Sequence, residues 1–145
     1  MSRVLLLAAD KPLPFCDRRC ERTKTVTAQG EVFSVTAHTG FLAEEHLYYR
    51  EAVDALGHAM KPHQVQIDLE NCEEDLHRLR DYLRTHFAAG EEAEFWNLWV
   101  GSDDLGPIPH YRGRLADFDK ETLQQFLFPP HKDGGLGQCR MTVTI

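Results

Sequence analysis

Apolar residues along this chain recur at spacings of two in some stretches and of three or four in others, the marks of strands and helices respectively. The least polar stretch runs Glu94-Phe-Trp-Asn-Leu-Trp-Val-Gly101 and holds both tryptophans. Aromatic and β-branched side chains fall on both alternating faces from Phe95 to Val100, which predicts a strand covered on both sides and a largely buried Trp99. Asn97 interrupts the run; if buried, its amide needs hydrogen-bond partners, which suits an edge of the core or a pocket wall.

The same reading places a first strand over Arg3 to Ala9, ended by Pro12 and Pro14, and then a loop carrying Cys16 and Cys20. Thr23 to Ala28 and Glu31 to Ala37 read as a hairpin turning through Gln29-Gly30, with a break at Gly40. From about Ala43 to Met60, the spacing of Tyr49, Val53, Leu56 and Met60 predicts a helix that Pro62 stops. Gln64 to Leu69 alternates apolar and polar residues, as a strand near a sheet edge does. Asn71 with Glu74 resembles a capping box ahead of a helical stripe of Leu76, Leu79, Leu83 and Phe87. A breaker-rich loop follows from Gly101 to Arg114, then a short helix capped by Asp119 with Leu123, Phe126 and Leu127 inward, and a last strand from Cys139 to Ile145.

Strands alternating with helices at this length predict one α+β domain over residues 1–145: a mixed sheet of about five or six strands packed with three helices, with two layers favoured. A hydrophobic fraction of 42% and a charged fraction of 27% fit an ordinary globular domain. The formal charge of −7 disfavours attraction to phosphate backbones and anionic membranes, so neither nucleic acid nor membrane is expected as a partner. Val4 to Ala9 is too short for a membrane span or a signal-peptide core, and with the four cysteines read as reduced thiols the expected compartment is the cytoplasm.

Few features suggest chemistry. Cys16-Asp-Arg-Arg-Cys20 has the ligands for half a zinc site, or for a redox pair with thiols activated by arginine, but a second pair at similar spacing is missing. Structural or incidental thiols are therefore expected, with no structural metal and no cofactor. His38, His46, His58 and His63 surround the first predicted helix without a chelating spacing, and His86 and His131 stand apart. Asp103 and Asp104 follow the aromatic strand, where functional groups often sit, although aspartates favour such turns for their backbone hydrogen bonds alone. Arg18, Arg19, Arg22 and Lys24 read as a solvated basic loop. Phosphate-binding glycine loops and the serine elbow are missing. These observations favour a noncatalytic binding or protein-interaction module whose partner is an unidentified protein or small-molecule ligand. The alternative is a small enzyme whose site is assembled from His38, His46, Asp103 and Asp104.

Overall fold

The first strand lies in the middle of the sheet. A computed structural model of the chain describes residues 2–101, 107–131 and 137–145, and in it β1 (Ser2–Ala9) is flanked on both sides. The other strands are β2 (Cys16–Ala28), β3 (Glu31–Glu45), β4 (His63–Asp68), β5 (Glu92–Val100), β6 (His110–Arg114) and β7 (Cys139–Thr144). The helices are α1 (Arg50–Asp54), α2 (Glu73–His86) and α3 (Lys120–Leu127). The strands form one seven-stranded sheet in the order β2-β3-β4-β1-β5-β7-β6. All neighbours are antiparallel except β6 and β7, so the sheet is mixed and the α+β class follows.

A strand with neighbours on both edges and cover on both faces must be apolar throughout, and Val4 to Ala9 are 0 to 5% exposed. On one face Leu5, Leu7, Phe41 and Phe95 pack with Leu76, Leu79 and Leu83 of α2 and with Leu123, Phe126 and Leu127 of α3. On the other, Val4, Leu6, Trp96 and Leu98 meet Val53 of α1. The two longer helices thus share one face, while the other receives a short helix and its connecting segments. Burying each such aliphatic side chain stabilises the fold by roughly 1.5–3 kcal/mol, which makes the β1–β5 pair the energetic centre of the domain.

Several expectations change. The helix expected from Ala43 to Met60 is mostly absent: β3 continues to Glu45 and α1 covers only Arg50–Asp54, without a side-chain cap and with Gly57 at φ 72° soon after. Of the four residues whose spacing predicts that helix, Tyr49, Val53 and Met60 pack on one side of the sheet without a continuous helix, whereas Leu56 is 39% exposed. Gly40 does not end the strand, since β3 runs through it at φ 135°, a conformation that favours glycine. A Cβ there would also lie 3.1 Å from the Arg18 carbonyl oxygen. β4 is interior, between β3 and β1, and its polar residues face the side that carries only thin cover. α2 begins after Cys72, and no side chain caps it, so Asn71 does not form the expected box. Asp119 does cap α3, its carboxylate accepting from the Thr122 amide at 2.9 Å. The additional strand is β6, a short polar edge strand inside the segment expected to be a loop.

Candidate interaction surface

The feature that the core does not explain is the hairpin of β2 and β3. Its turn has the required chemistry: Gln29 and Gly30 have φ values of 52° and 77°, and positive φ at both central residues is the hallmark of a type I′ turn. From that turn the strands pair continuously, from Ala28 opposite Glu31 to Cys16 opposite Ala43. The rest of the sheet engages β3 only at Leu42 to Glu45, through β4. Glu31 to Phe41 therefore belong to a two-stranded arm that extends past the end of β4.

Residues opposite one another in an antiparallel ladder share a face. The face continuous with Phe41 and the helix-covered core carries Arg22–Ala37, Lys24–Val35 and Val26–Phe33 in succession. Its lower part is tethered to the N-terminal end of α2: Arg22 donates to Glu74 at 3.0 Å and lies 3.4 Å from Glu70, while Arg78 donates to the Cys20 sulfur at 3.8 Å and to Asp75 at 2.8 Å. Beyond Arg22 the helix no longer covers the arm, and Val26, Phe33 and Val35 are 44%, 47% and 50% exposed. The opposite face is hydroxyl-rich, with the Thr23 and Thr36 hydroxyls 3.1 Å apart and Thr25 opposite Ser34, and Val32 at its tip is 68% exposed. The arm is thus amphipathic, and its apolar face lies open to solvent.

Its two edges differ as well. The outer edge, β2, carries Asp17, Arg18, Arg19, Glu21, Arg22 and Lys24 within eight residues. Arg19 pairs with Asp17 at 2.8 Å and holds that carboxyl down at about 2. Charges of this density keep a sheet edge from pairing with another chain. The inner edge, β3 from Val32 to Thr39, has no Lys, Arg, Asp or Glu.

The described residues among those singled out for chemistry do not converge. His38 is exposed on the arm, whereas His46 is buried just past the end of β3. Eight residues of extended chain separate them by roughly 25 Å. Burial lowers the pKa of His46, and Arg50 adds to that effect while Asp54 opposes it. Asp103 and Asp104 lie outside the described residues. His58 stacks on Trp96 with ring centroids 5.5 Å apart, a packing role. Cys16 and Cys20 lie on β2 rather than in a loop, and four residues of strand hold them roughly 13 Å apart, too far to share a metal ion. Glu70, Cys72 and Asp75 do converge, with ligand atoms within 4.8 Å of one another. However, Asp75 already accepts from Arg78 and from the Glu70 amide, and Glu70 faces Arg22.

A small cavity of about 210 Å³ opens beside Asn97, lined by Arg3, Trp99, Leu127 to Pro129 and Gly137. Small-molecule sites usually enclose roughly 300–1,000 Å³, so it is modest in size. Of the two settings expected for Asn97, an edge of the core or a pocket wall, this is the second. Trp99 is only partly buried there, its indole donating to the Gly137 carbonyl at 3.1 Å, while Trp96 is the tryptophan at 3% exposure. Trp96 also lies under the Arg140 guanidinium, 4.9 Å from its ring centroid.

Sequence reading found the turn of the arm but stopped its strands short. The basic run reads as a loop, whereas Cys16 to Arg22 continue the ladder opposite Ala43 to Ala37, because backbone pairing along an outer edge leaves charged side chains in water. Comparison of the chain with protein-family models, with curated proteins and with solved structures finds no match.

Proposed function

We propose that this chain is a noncatalytic protein-interaction module that docks through the β2–β3 arm. The observation that carries this reading is the stripe of Val26, Phe33 and Val35, which continues the core face of the sheet beyond the reach of α2 and is open to solvent. A two-stranded hairpin gains little stability alone in water, and exposed apolar strips of this kind serve as contact surfaces. The net charge of −7 argues for a protein partner over nucleic acid or an anionic membrane. The enzymatic alternative has less support, because His38 and His46 are far apart along an extended strand.

Site-specific photo-crosslinking tests the reading. A photoreactive residue at Phe33 or Val35, in cells that normally make the protein, is expected to give discrete high-mass adducts, whereas the exposed Thr85 of α2 is expected to give few. Adduct yields at the arm no higher than at Thr85 would remove the docking role.

A further inference from the structure

We infer that the arm's occupant is the arm of a second copy of this chain, paired antiparallel along the free edge of β3 about a twofold axis. The inference rests on the arm being the docking element and adds what docks there. The first ground is direction. In a hairpin closed by a two-residue turn, Ala28 and Glu31 exchange backbone hydrogen bonds, so alternate residues on β3 point their amides and carbonyls away from β2. Those residues are Val32, Ser34, Thr36 and His38, and β4 reaches β3 only from Leu42 onward. Among the described residues no strand pairs with this part of the edge.

The second ground is electrostatic. The outer edge of the same hairpin is crowded with charge, whereas the stretch from Val32 to Thr39 carries no acidic or basic side chain other than His38 and is dominated by β-formers. Protection is thus placed on one edge and missing from the other. Antiparallel pairing of identical strands sets Val35 opposite itself, Ser34 opposite Thr36 and Val32 opposite His38, so no like-charged carboxylates or guanidinium groups oppose one another.

The third ground is fit. In this register all four outward-facing residues find partners, and the copy's turn reaches Gly40, just short of where β4 begins to occupy the edge. The four-stranded ribbon so formed brings Val26, Phe33 and Val35 of both copies onto one face as a single apolar strip. The two-stranded contact is small by the standard of stable complexes, so a dissociation constant on the order of micromolar is expected.

The test is sedimentation equilibrium under reducing conditions up to ~100 µM, with paired proline variants. Thr36→Pro removes an amide that points to the free edge and spares the ladder to β2; it is expected to raise the dimer dissociation constant at least about tenfold. Thr25→Pro makes the equivalent change on the outer edge and is expected to leave dimerisation within about threefold of wild type. Register is read separately. On a Cys20→Ser background, Val35→Cys is expected to form an intermolecular disulfide at least about tenfold faster than Ser34→Cys, because residues opposite themselves at a non-hydrogen-bonded position bring their Cα atoms within disulfide range.

A wild-type chain that stays monomeric at ~100 µM, or equal crosslinking rates for the two cysteine variants, overturns the homotypic pairing. If the photo-crosslinks at Phe33 and Val35 then join the chain to a different macromolecule, the arm remains a docking element with another partner. If they too are lost, both readings fail together.

Discussion

The side-chain amide of Asn97 donates to the Phe126 carbonyl at 2.7 Å, so a polar residue on the core face of the aromatic strand closes the C-terminal end of α3. The last carbonyls of a helix lack intrahelical donors, and here Arg3 supplies a second one to Leu127 at 2.8 Å. Replacing Asn97 by leucine leaves the Phe126 carbonyl buried without that donor, for an expected loss of about 1–3 kcal/mol. A urea titration of Asn97→Leu that matches wild type within about 0.5 kcal/mol would show that the contact does not matter to stability.

The two tryptophans are expected to rank opposite to their order of prominence in the sequence reading. Trp96, at 3% exposure and wedged between His58 and Arg140, should cost about 3–5 kcal/mol when cut to alanine, the range for a core aromatic. Trp99, partly exposed at the cavity mouth, should cost less. Denaturant midpoints of the two variants check the order, and a larger loss at Trp99 would relocate the core.

Stability should fall on mild acidification through His46. The unfolded side chain titrates near 6.5, and burial sets the folded value below that. Between the two values the unfolded chain binds more protons, so the stabilising contribution is whole above 6.5 and is lost as pH drops through the window below it. His110 is shifted in the same direction, chiefly by desolvation. Hence His46→Phe should reduce the decline of the urea midpoint between pH 7 and pH 5.5 without abolishing it, and an unchanged decline would exclude His46 as a source.

Thiol reactivity should follow position. Burial pushes the Cys139 thiol up to about 12, and its sulfur points at the Phe126 carbonyl, 3.8 Å away. Cys20 is exposed on β2. A thiol reagent at neutral pH should therefore modify Cys20 first and Cys139 only after denaturation. Rapid native labelling of Cys139, located by peptide mapping, would contradict its burial.

The strands that form the centre were legible because burial on both faces leaves a run of apolar residues: Val4 to Ala9 and Phe95 to Val100 have no other use for such side chains. α3 was legible through its Asp119 cap. β6 was not, because an edge strand read as His-Tyr-Arg-Gly-Arg makes its hydrogen bonds through the backbone while its side chains stay largely in water. The false long helix came from counting Tyr49, Val53, Leu56 and Met60 as one face, when tertiary packing alone brings Tyr49, Val53 and Met60 together and leaves Leu56 exposed. The arm's significance escaped for a related reason. A residue's exposure depends on what covers it, and where α2 ends relative to the arm is a three-dimensional fact that Val26 and Phe33 do not announce in sequence. The alternative site of His38, His46, Asp103 and Asp104 required the fold to bring them together in three dimensions, and for the two histidines the extended strand between them works against it.

The central position of β1 also sets the order in which the chain can assemble as it is synthesised. Its neighbours are β4, met from Ala9 opposite His63 onward, and β5, met as far as Val100. At a translation rate of about 5–20 residues per second, roughly 5–20 seconds separate the making of Ala9 from that of Val100. Within that interval β4 is made first, so the apolar strand waits longest for β5. The β2–β3 hairpin needs only contacts between residues near in sequence, so it is the piece able to form first, on microsecond timescales. The nascent chain thus samples the arm before it has a core, the isolated hairpin being only marginally stable in water, and the step that commits it to the native sheet is the arrival of the aromatic strand.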